Sequence, residues 1–469
     1  GLFCAAMEEV LLEGSDPTSP RHFEEVSPDP GGNVTVLAST YTLTSTILGA
    51  GLLALPQAFA HAGVLLGAGL LILTAVMSRF TCSLLLATYS RTGMASYDDL
   101  ALLLLGPAGT VFVQWCIILL NVGACAGYFV VVLQLLTPSL EVVMPGVFAH
   151  VSPAALTAAI AFFVVFPLCC LRTLSSLRYT SMLAFFLAAF LVLAISVRSL
   201  QASVGDEGGG CEWHWAKWSP EVFRAIPLFS FSYICHLNVL PVYENLRWRT
   251  VSKMRTVFTL AVIFCTSLYM VLGVLGYIRF CDATPGNVLG FPGTEPHREH
   301  FASNDLLIGV ARIAQTLTCV LALPLIQYPT RVALHAFLLQ VRSQLFPAKI
   351  RRRYSSFSDV MSVVNMDHVV QTAATSTSEL VVRCCESFVI VGMSLAVALA
   401  VPQLQIVFGL VGSTLCSLVV FIIPAGFYLR ATRNAPSGWR RRVKRMLCRL
   451  VMLWGVVTGV VGTYQTLAG

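Results

Sequence analysis

The sequence predicts an all-α polytopic membrane protein with eleven transmembrane helices, ten of them in two inverted halves of five and one added at the end. Three observations predict this. First, 56% of the residues are hydrophobic, only 11% are charged, and the mean hydropathy is +0.77. Second, apolar runs long enough to cross a ~30 Å hydrocarbon core recur eleven times along the chain. Third, the first and sixth runs each carry an interruption and the pattern L-x-x-L-P: Leu52-Leu53-Ala54-Leu55-Pro56 and Leu237-Asn238-Val239-Leu240-Pro241. Five spans is an odd number, so the second half starts on the opposite side of the membrane, as in inverted-repeat carriers.

Residues 1–32 are polar and acidic (Glu8, Glu9, Glu13, Asp16, Glu24, Glu25, Asp29) and are expected to form a disordered cytosolic tail without a cleavable leader. The first run, 34–60, contains Gly49-Ala50-Gly51-Leu52-Leu53-Ala54-Leu55-Pro56. Glycine is a poor helix former and Pro56 has no amide to donate, so the Leu52 carbonyl is expected to lose its partner. An unpaired carbonyl in hydrocarbon costs several kcal/mol, so a break at this depth marks a binding site. Runs 64–89, 110–137, 153–171 and 177–199 complete the first repeat, 34–199. In the third span, 110–137, Asn121 and Tyr128 share one helical face; each is a candidate pocket residue or a polar bridge between helices. The sixth run, 219–245, is expected to unwind between Phe229 and Tyr233, placing Phe229, Ser230, Phe231, Ser232 and Tyr233 at the substrate. Run 255–278 follows, and then 304–339, which is too long for one span and is expected to continue past the membrane as helix. A cytosolic loop, 343–382, carries Arg351-Arg352-Arg353 and several serines and threonines, either as an ordinary linker or as a headgroup-binding cluster. Runs 384–401 and 403–429 close the second repeat, 219–429, and 446–467 is the extra helix.

With a cytosolic N-terminus and eleven spans, nearly all Lys and Arg outside the membrane fall on the cytosolic side, leaving mainly Lys217, Arg279 and Arg298 outside. The net charge of +7 is therefore a topology signal, and no nucleic-acid partner is expected. Of fifteen cysteines only Cys211 and Cys281 fall in external loops, where they either pair or remain free thiols. No Cys or His group has metal-ligand spacing, and no metal or cofactor is expected. There is no nucleophile elbow, no P-loop and no carboxylate pair on a cytosolic domain, so the chain does not read as an enzyme.

The chemistry of the breaks suits a zwitterion. The half-helix after Gly51 points its positive end toward the gap, where a carboxylate fits. Unwound carbonyls in the sixth span can accept from an ammonium group, and Gly49, Ala50 and Gly51 let backbone approach the ligand. His236 is a mid-membrane ionisable group, read either as a coupling proton site or as a neutral residue bonded between helices. Arg312 is a gating candidate that could pair with Asp305 or else snorkel outward. Glu244, with Arg247 and Arg249, is a second gating candidate at the inner end of the sixth span.

At these residues the chain resembles the amino acid/auxin permease family, and more narrowly its sodium-coupled neutral amino acid transporter branch. The stretch Thr46 to Pro56, the stretch Phe229 through Cys235-His236 to Glu244, and Arg312-Ile313-Ala314 with Pro324 and Pro329-Thr330-Arg331 carry the resemblance, which covers residues 33–467. It implies a leucine-transporter-type 5+5 fold, amino acid substrates, alternating access and a disulfide between Cys211 and Cys281. The resemblance also sets an Asn where Ser45 stands and a Thr where Val320 stands. Na⁺ needs hard oxygen ligands and valine has none, so the coupling ion reads as H⁺ or Na⁺, with Ser45, Thr46, Thr318 and His236 as candidates. The reading is a secondary active symporter of amino acids, neutral because no acid is placed near the breaks, in the plasma membrane or an endolysosomal or vacuolar membrane. Its partners are substrate and lipid bilayer. The alternative is an amino acid sensor whose N-terminal tail binds a cytosolic regulator.

Overall fold

The computed structural model describes residues 32–148, 150–170, 177–204, 212–291, 298–345, 377–435 and 438–468. Regular structure among them is helical apart from one backbone bridge. The acidic tail up to residue 31 and the serine- and arginine-rich stretch 346–376 lie outside the described residues.

The first span is two pieces. α1 (Val36–Ile47) opens on Thr35, whose hydroxyl accepts the Ala38 amide at 3.3 Å, a side-chain cap for an otherwise unpaired donor. Leu48 and Gly49 leave the helix, a tight 3₁₀ turn covers Ala50–Ala54, and α2 (Leu55–Ala62) follows with Pro56 in its first turn. Proline is tolerated there because that amide has no helical acceptor to lose. The two pieces are bent by 48°. The Leu52 carbonyl does not lose its partner: the tightened turn lets the Leu55 amide, one residue ahead of the proline, donate to it.

α3 (Val64–Thr92) begins after Gly63, whose φ of +80° suits only glycine and whose flank packs on the backbone of His214 and Ala216. α4 (Tyr97–Val143) is capped by Ser96 and kinked at Gly106, so the membrane-crossing part follows that residue, as the apolar run 110–137 anticipates. α5 (Pro153–Cys170) contains a π-helical turn at Ala161–Val165, and α6 (Leu177–Val204) completes the first five spans. The sixth span is again two pieces, α7 (Val222–Ser232) and α8 (His236–Glu244), separated by Tyr233, Ile234 and Cys235. α9 (Val251–Phe280), α10 (Leu306–Leu345), α11 (Thr377–Ala400) and α12 (Leu404–Ala431), which is π-helical from Gly412 to Ile422, form the rest of the second half; α13 (Trp439–Ala468) is the added span.

Among the described residues ten helices are long and apolar enough to cross a bilayer, and the bent pair α1–α2 makes eleven. Large apolar side chains such as Phe163 (82% exposed) and Val460 (68% exposed) face outward, while Phe59, Phe129, Phe229 and Phe408 are sealed inside. A surface this apolar is satisfied only by lipid. The chain is an integral, multi-pass, all-α membrane protein of the expected 5+5+1 architecture, with breaks in the first and sixth spans.

Two sets of backbone contacts close the ends of the broken spans. On the face where α1 starts, the Val34 amide donates to Asn245 O at 3.1 Å and the Arg247 amide to Val34 O at 2.8 Å, joining the chain before α1 to the chain after α8. On the opposite face residues 214–217 lie across the α2–α3 joint: Val64 and Leu65 donate to His214 O (3.0 Å) and Trp215 O (2.7 Å), and the Lys217 amide donates to Ala62 O (2.9 Å).

Candidate functional site

The two breaks face each other and are held by one side chain. The Tyr269 hydroxyl of α9, fully buried, lies 2.6 Å from Ile47 O and 3.0 Å from Ser232 O, the last helical carbonyls before each break. Ser78 of α3 donates to Tyr233 O at 3.2 Å. The carbonyls of Ser232 and Tyr233 therefore already have partners. The unwound stretch begins at Tyr233, four residues later than the expected Phe229, because those two tertiary bonds let the helix run on to Ser232 before releasing it.

A cavity of about 80 Å³ lies between the breaks. Its polar lining is Ser45, Thr46, Asn121, Tyr128, Ser232 and Asn238, with Gly49 and Gly51 supplying bare backbone. Its apolar side comes from Phe231, Leu120 and the α10 residues Ala322, Leu325 and Ile326. Among the described residues no charged side chain lines it. Asn121 Nδ2 is buried without a hydrogen-bond partner, and a buried orphan donor costs about 1–3 kcal/mol until something accepts from it. Asn238 Nδ2 reaches Thr46 Oγ1 at 3.4 Å, bridging the two broken spans. Both glycines are enforced by packing: a Cβ on Gly49 would overlap the Tyr128 hydroxyl, and one on Gly51 would sit 3.0 Å from Phe231 and 3.2 Å from Ser232 Oγ.

Of the residues expected at substrate, the structure brings Gly49, Gly51, Asn121, Phe231 and Ser232 to this cavity. Ala50 is buried beside it but not in its wall. Phe229 packs edge-on against Phe59 (5.6 Å), Ser230 donates to Ile226 O within its own helix, and Tyr233 turns away to bond Thr266 at 2.7 Å.

A second cavity of about 20 Å³ is lined by Ser45, Leu48, Thr318, Ala184, Leu321, Ala322 and Leu325. That is room for one water or one small ion. Ser45 and Thr318 spend their hydroxyl protons on Thr42 O and Ala314 O (both 2.9 Å), which leaves oxygen lone pairs for a cation. Pro329, four residues beyond Leu325, removes the amide that its carbonyl would accept from in a regular helix. Val320 is absent from this wall; Thr46 faces the larger cavity.

The gating candidates are placed differently from each other. Glu244 is ion-paired with Arg249 at the end of α8. Arg312 neither pairs with Asp305 nor snorkels. It is fully buried, its guanidinium donates to the carbonyls of Leu289 (2.9 Å), Gly290 (3.1 Å), Phe301 (3.1 Å) and Ala302 (3.3 Å), and it stacks 3.8 Å over the Phe291 ring. Asp305 is taken by Arg198 of α6 at 2.7 Å. A rigid planar fork matches several fixed carbonyls, so Arg312 locks the loop ahead of α10. Cys281 is disulfide-bonded, while Cys211, its expected partner, lies outside the described residues.

His236 is fully buried and its Nε2 lies 2.8 Å from Thr81 Oγ1. Sequence reasoning missed Tyr269, Asn238 and the α3 residues Ser78 and Thr81. Ser78 and Thr81 sit in an apolar helical stretch with no local signal, Asn238 lies inside the repeat motif of the sixth span, and Tyr269 reads as an ordinary interfacial aromatic.

A family model described as transmembrane amino acid transporter protein matches residues 32–468. Solute carrier family 38 member 10 of Mus musculus is 26% identical over 428 residues, covering 91% of this chain and 35% of the relative, so the chain spans little more than a third of that curated protein. Among solved structures, a Na⁺-coupled sialic acid symporter in a substrate-bound outward-open state aligns with 94% of this chain and 91% of its own, at 13% identity and TM-score 0.46. A manganese transporter of Eremococcus coleocola aligns with 94% of this chain and 99% of its own, at 11% identity and TM-score 0.42.

Proposed function

The chain belongs to the transmembrane amino acid transporter family, and from that premise we propose that it is a secondary carrier of neutral amino acids that works by alternating access. The observation that carries the reading is the uncharged cavity between two broken spans, with the buried, unpartnered Asn121 Nδ2 in its wall. A zwitterion has no side-chain counter-ion there, so its carboxylate is met by the amides opening the turn at Ala50 and its ammonium by hydroxyl and carbonyl oxygens. A substrate with an additional charge would be desolvated without a partner, which selects against it. The apolar wall of Leu120, Leu325 and Ile326 accommodates a neutral side chain.

The small second cavity, with Ser45, Thr318 and the Leu325 carbonyl, supports Na⁺ as the coupled ion; His236 supports H⁺. Uptake of labelled amino acids into proteoliposomes, with a Na⁺ gradient and a pH gradient imposed separately, tests both. The carrier reading expects concentrative uptake of neutral amino acids under one gradient; uptake under neither, or uptake of cationic amino acids only, overturns it. The Lys and Arg distribution supports a cytosolic N-terminus.

A second reading, an amino acid sensor, draws on the Val34–Leu246 bridge, which ties the chain next to the tail directly to the sixth span. Removing residues 1–32 separates the two: a carrier keeps its uptake, while a sensor loses its cytosolic partner.

A further inference from the structure

Sequence spacing offers no metal motif, yet the fold gathers Cys82 of α3 with Cys235 and His236 of the sixth-span break. Their ligand atoms lie within 4.8 Å of one another, and all three residues are buried. We propose that these residues form a Zn²⁺ site of the Cys₂His type that staples the unwound joint of the sixth span to α3.

Three observations carry this. The Cys82 and Cys235 sulfurs are 3.8 Å apart. Two Zn–S bonds of about 2.3 Å opened to the tetrahedral angle place their sulfurs about 3.8 Å apart, so the thiols already stand at ligand spacing. Second, the imidazole is set up as a ligand. Thr81 Oγ1 lies 3.0 Å from both Met77 O and Ser78 O and 2.8 Å from His236 Nε2; with its proton on either carbonyl it accepts from His236 Nε2–H. In that tautomer the lone pair is on Nδ1, which is buried and has no hydrogen-bond partner. A metal-binding His is ordinarily oriented through its other nitrogen in this way. Third, Cys235 is in the wall of the larger cavity, which gives an ion a path to a site that is otherwise sealed. The ligand atoms, within 4.8 Å of one another, have to close to the roughly 3.5 Å between nitrogen and sulfur that tetrahedral zinc requires. Ser78, one turn before Cys82 on the same face, can supply an oxygen at the fourth position.

Charge selects the ion. Binding releases one proton from each thiol. Two thiolates and a neutral imidazole with Zn²⁺ sum to zero, the only charge a low-dielectric interior tolerates without penalty. A hard cation such as Mg²⁺ has no suitable ligands here.

The test uses the purified full chain and does not involve transport, so its failure leaves the carrier reading untouched and the reverse also holds; a filled site removes only His236 as the coupling proton group and leaves Na⁺. The chain is equilibrated with Zn²⁺, desalted, and its metal content measured by plasma mass spectrometry; Co²⁺ replaces zinc for absorption spectra. The expected result is about one zinc per chain, a thiolate-to-cobalt charge-transfer band, and at least a tenfold weaker affinity in Cys82→Ser and Cys235→Ser but not in Cys416→Ser. Because a serine variant can fail to fold, the wild-type chain is also alkylated with a maleimide with and without Zn²⁺ and mapped by mass spectrometry. Protection confined to Cys82 and Cys235 supports the site. No retained zinc, zinc retained equally by the Cys82→Ser/Cys235→Ser double variant, or protection of other cysteines instead overturns it.

Discussion

Replacing Gly49 by alanine tests the closeness of the first break to the third span. The added methyl falls on the Tyr128 hydroxyl, while the next ring atom, Cζ, stands 3.1 Å away. The overlap thus belongs almost wholly to one oxygen atom. Forcing a methyl into packed protein costs about 1–3 kcal/mol. A chain of 469 residues that loses about 2.1 cal/mol/K of order per residue drops its melting temperature by roughly 1–3 °C for that cost. Tyr128→Phe removes the oxygen and leaves only a contact that gives by a few tenths of an ångström. The double variant is therefore expected to melt within about 1 °C of Tyr128→Phe alone. Replicate fluorescence melts in detergent resolve this, and uptake of a neutral amino acid measured on the same four proteins should follow the same order, since Gly49 and Tyr128 share the cavity wall. Equal penalties for Gly49→Ala in the Tyr128 and Phe backgrounds would show that the break is not seated against this tyrosine, and the geometry of the cavity would fall with it.

Tyr269→Phe removes a hydroxyl shared by Ile47 O and Ser232 O and should cost about 1–3 kcal/mol; hydrogen exchange is expected to quicken at residues 46–50 and 231–236 together, and a change at one joint alone contradicts the bridge. Arg312→Lys keeps the charge but cannot reach four carbonyls, so limited proteolysis between residues 285 and 305 should accelerate several-fold relative to wild type. His300 in the same loop is held below its usual range by burial and by the Arg312 charge. The unfolded chain therefore binds more protons once the pH falls below about 6.5, and stability should decline from there down to the depressed native value. A melting profile against pH that is unchanged in His300→Gln would remove His300 as the cause.

The eleven crossings were legible because hydropathy over a 20-residue window depends on composition alone. The first break was legible for a similar reason: glycines and a proline act on their own backbone. The sixth-span break was displaced because its boundary is set from outside, by Ser78 and Tyr269 on neighbouring spans. Partner choice was least legible. Asp305 looked available to Arg312 from seven residues away, but Arg198, 107 residues distant, occupies it. Cys82 and Cys235 are 153 residues apart and meet only because the second span lies against the sixth-span joint. Pairings of that kind have no period to detect.

The two backbone bonds joining Val34 to Asn245 and Arg247 make a splice between the entry strand and the exit of the sixth crossing. On the carrier reading proposed above, a load on that seam pulls on the first and sixth crossings together, away from the cavity itself.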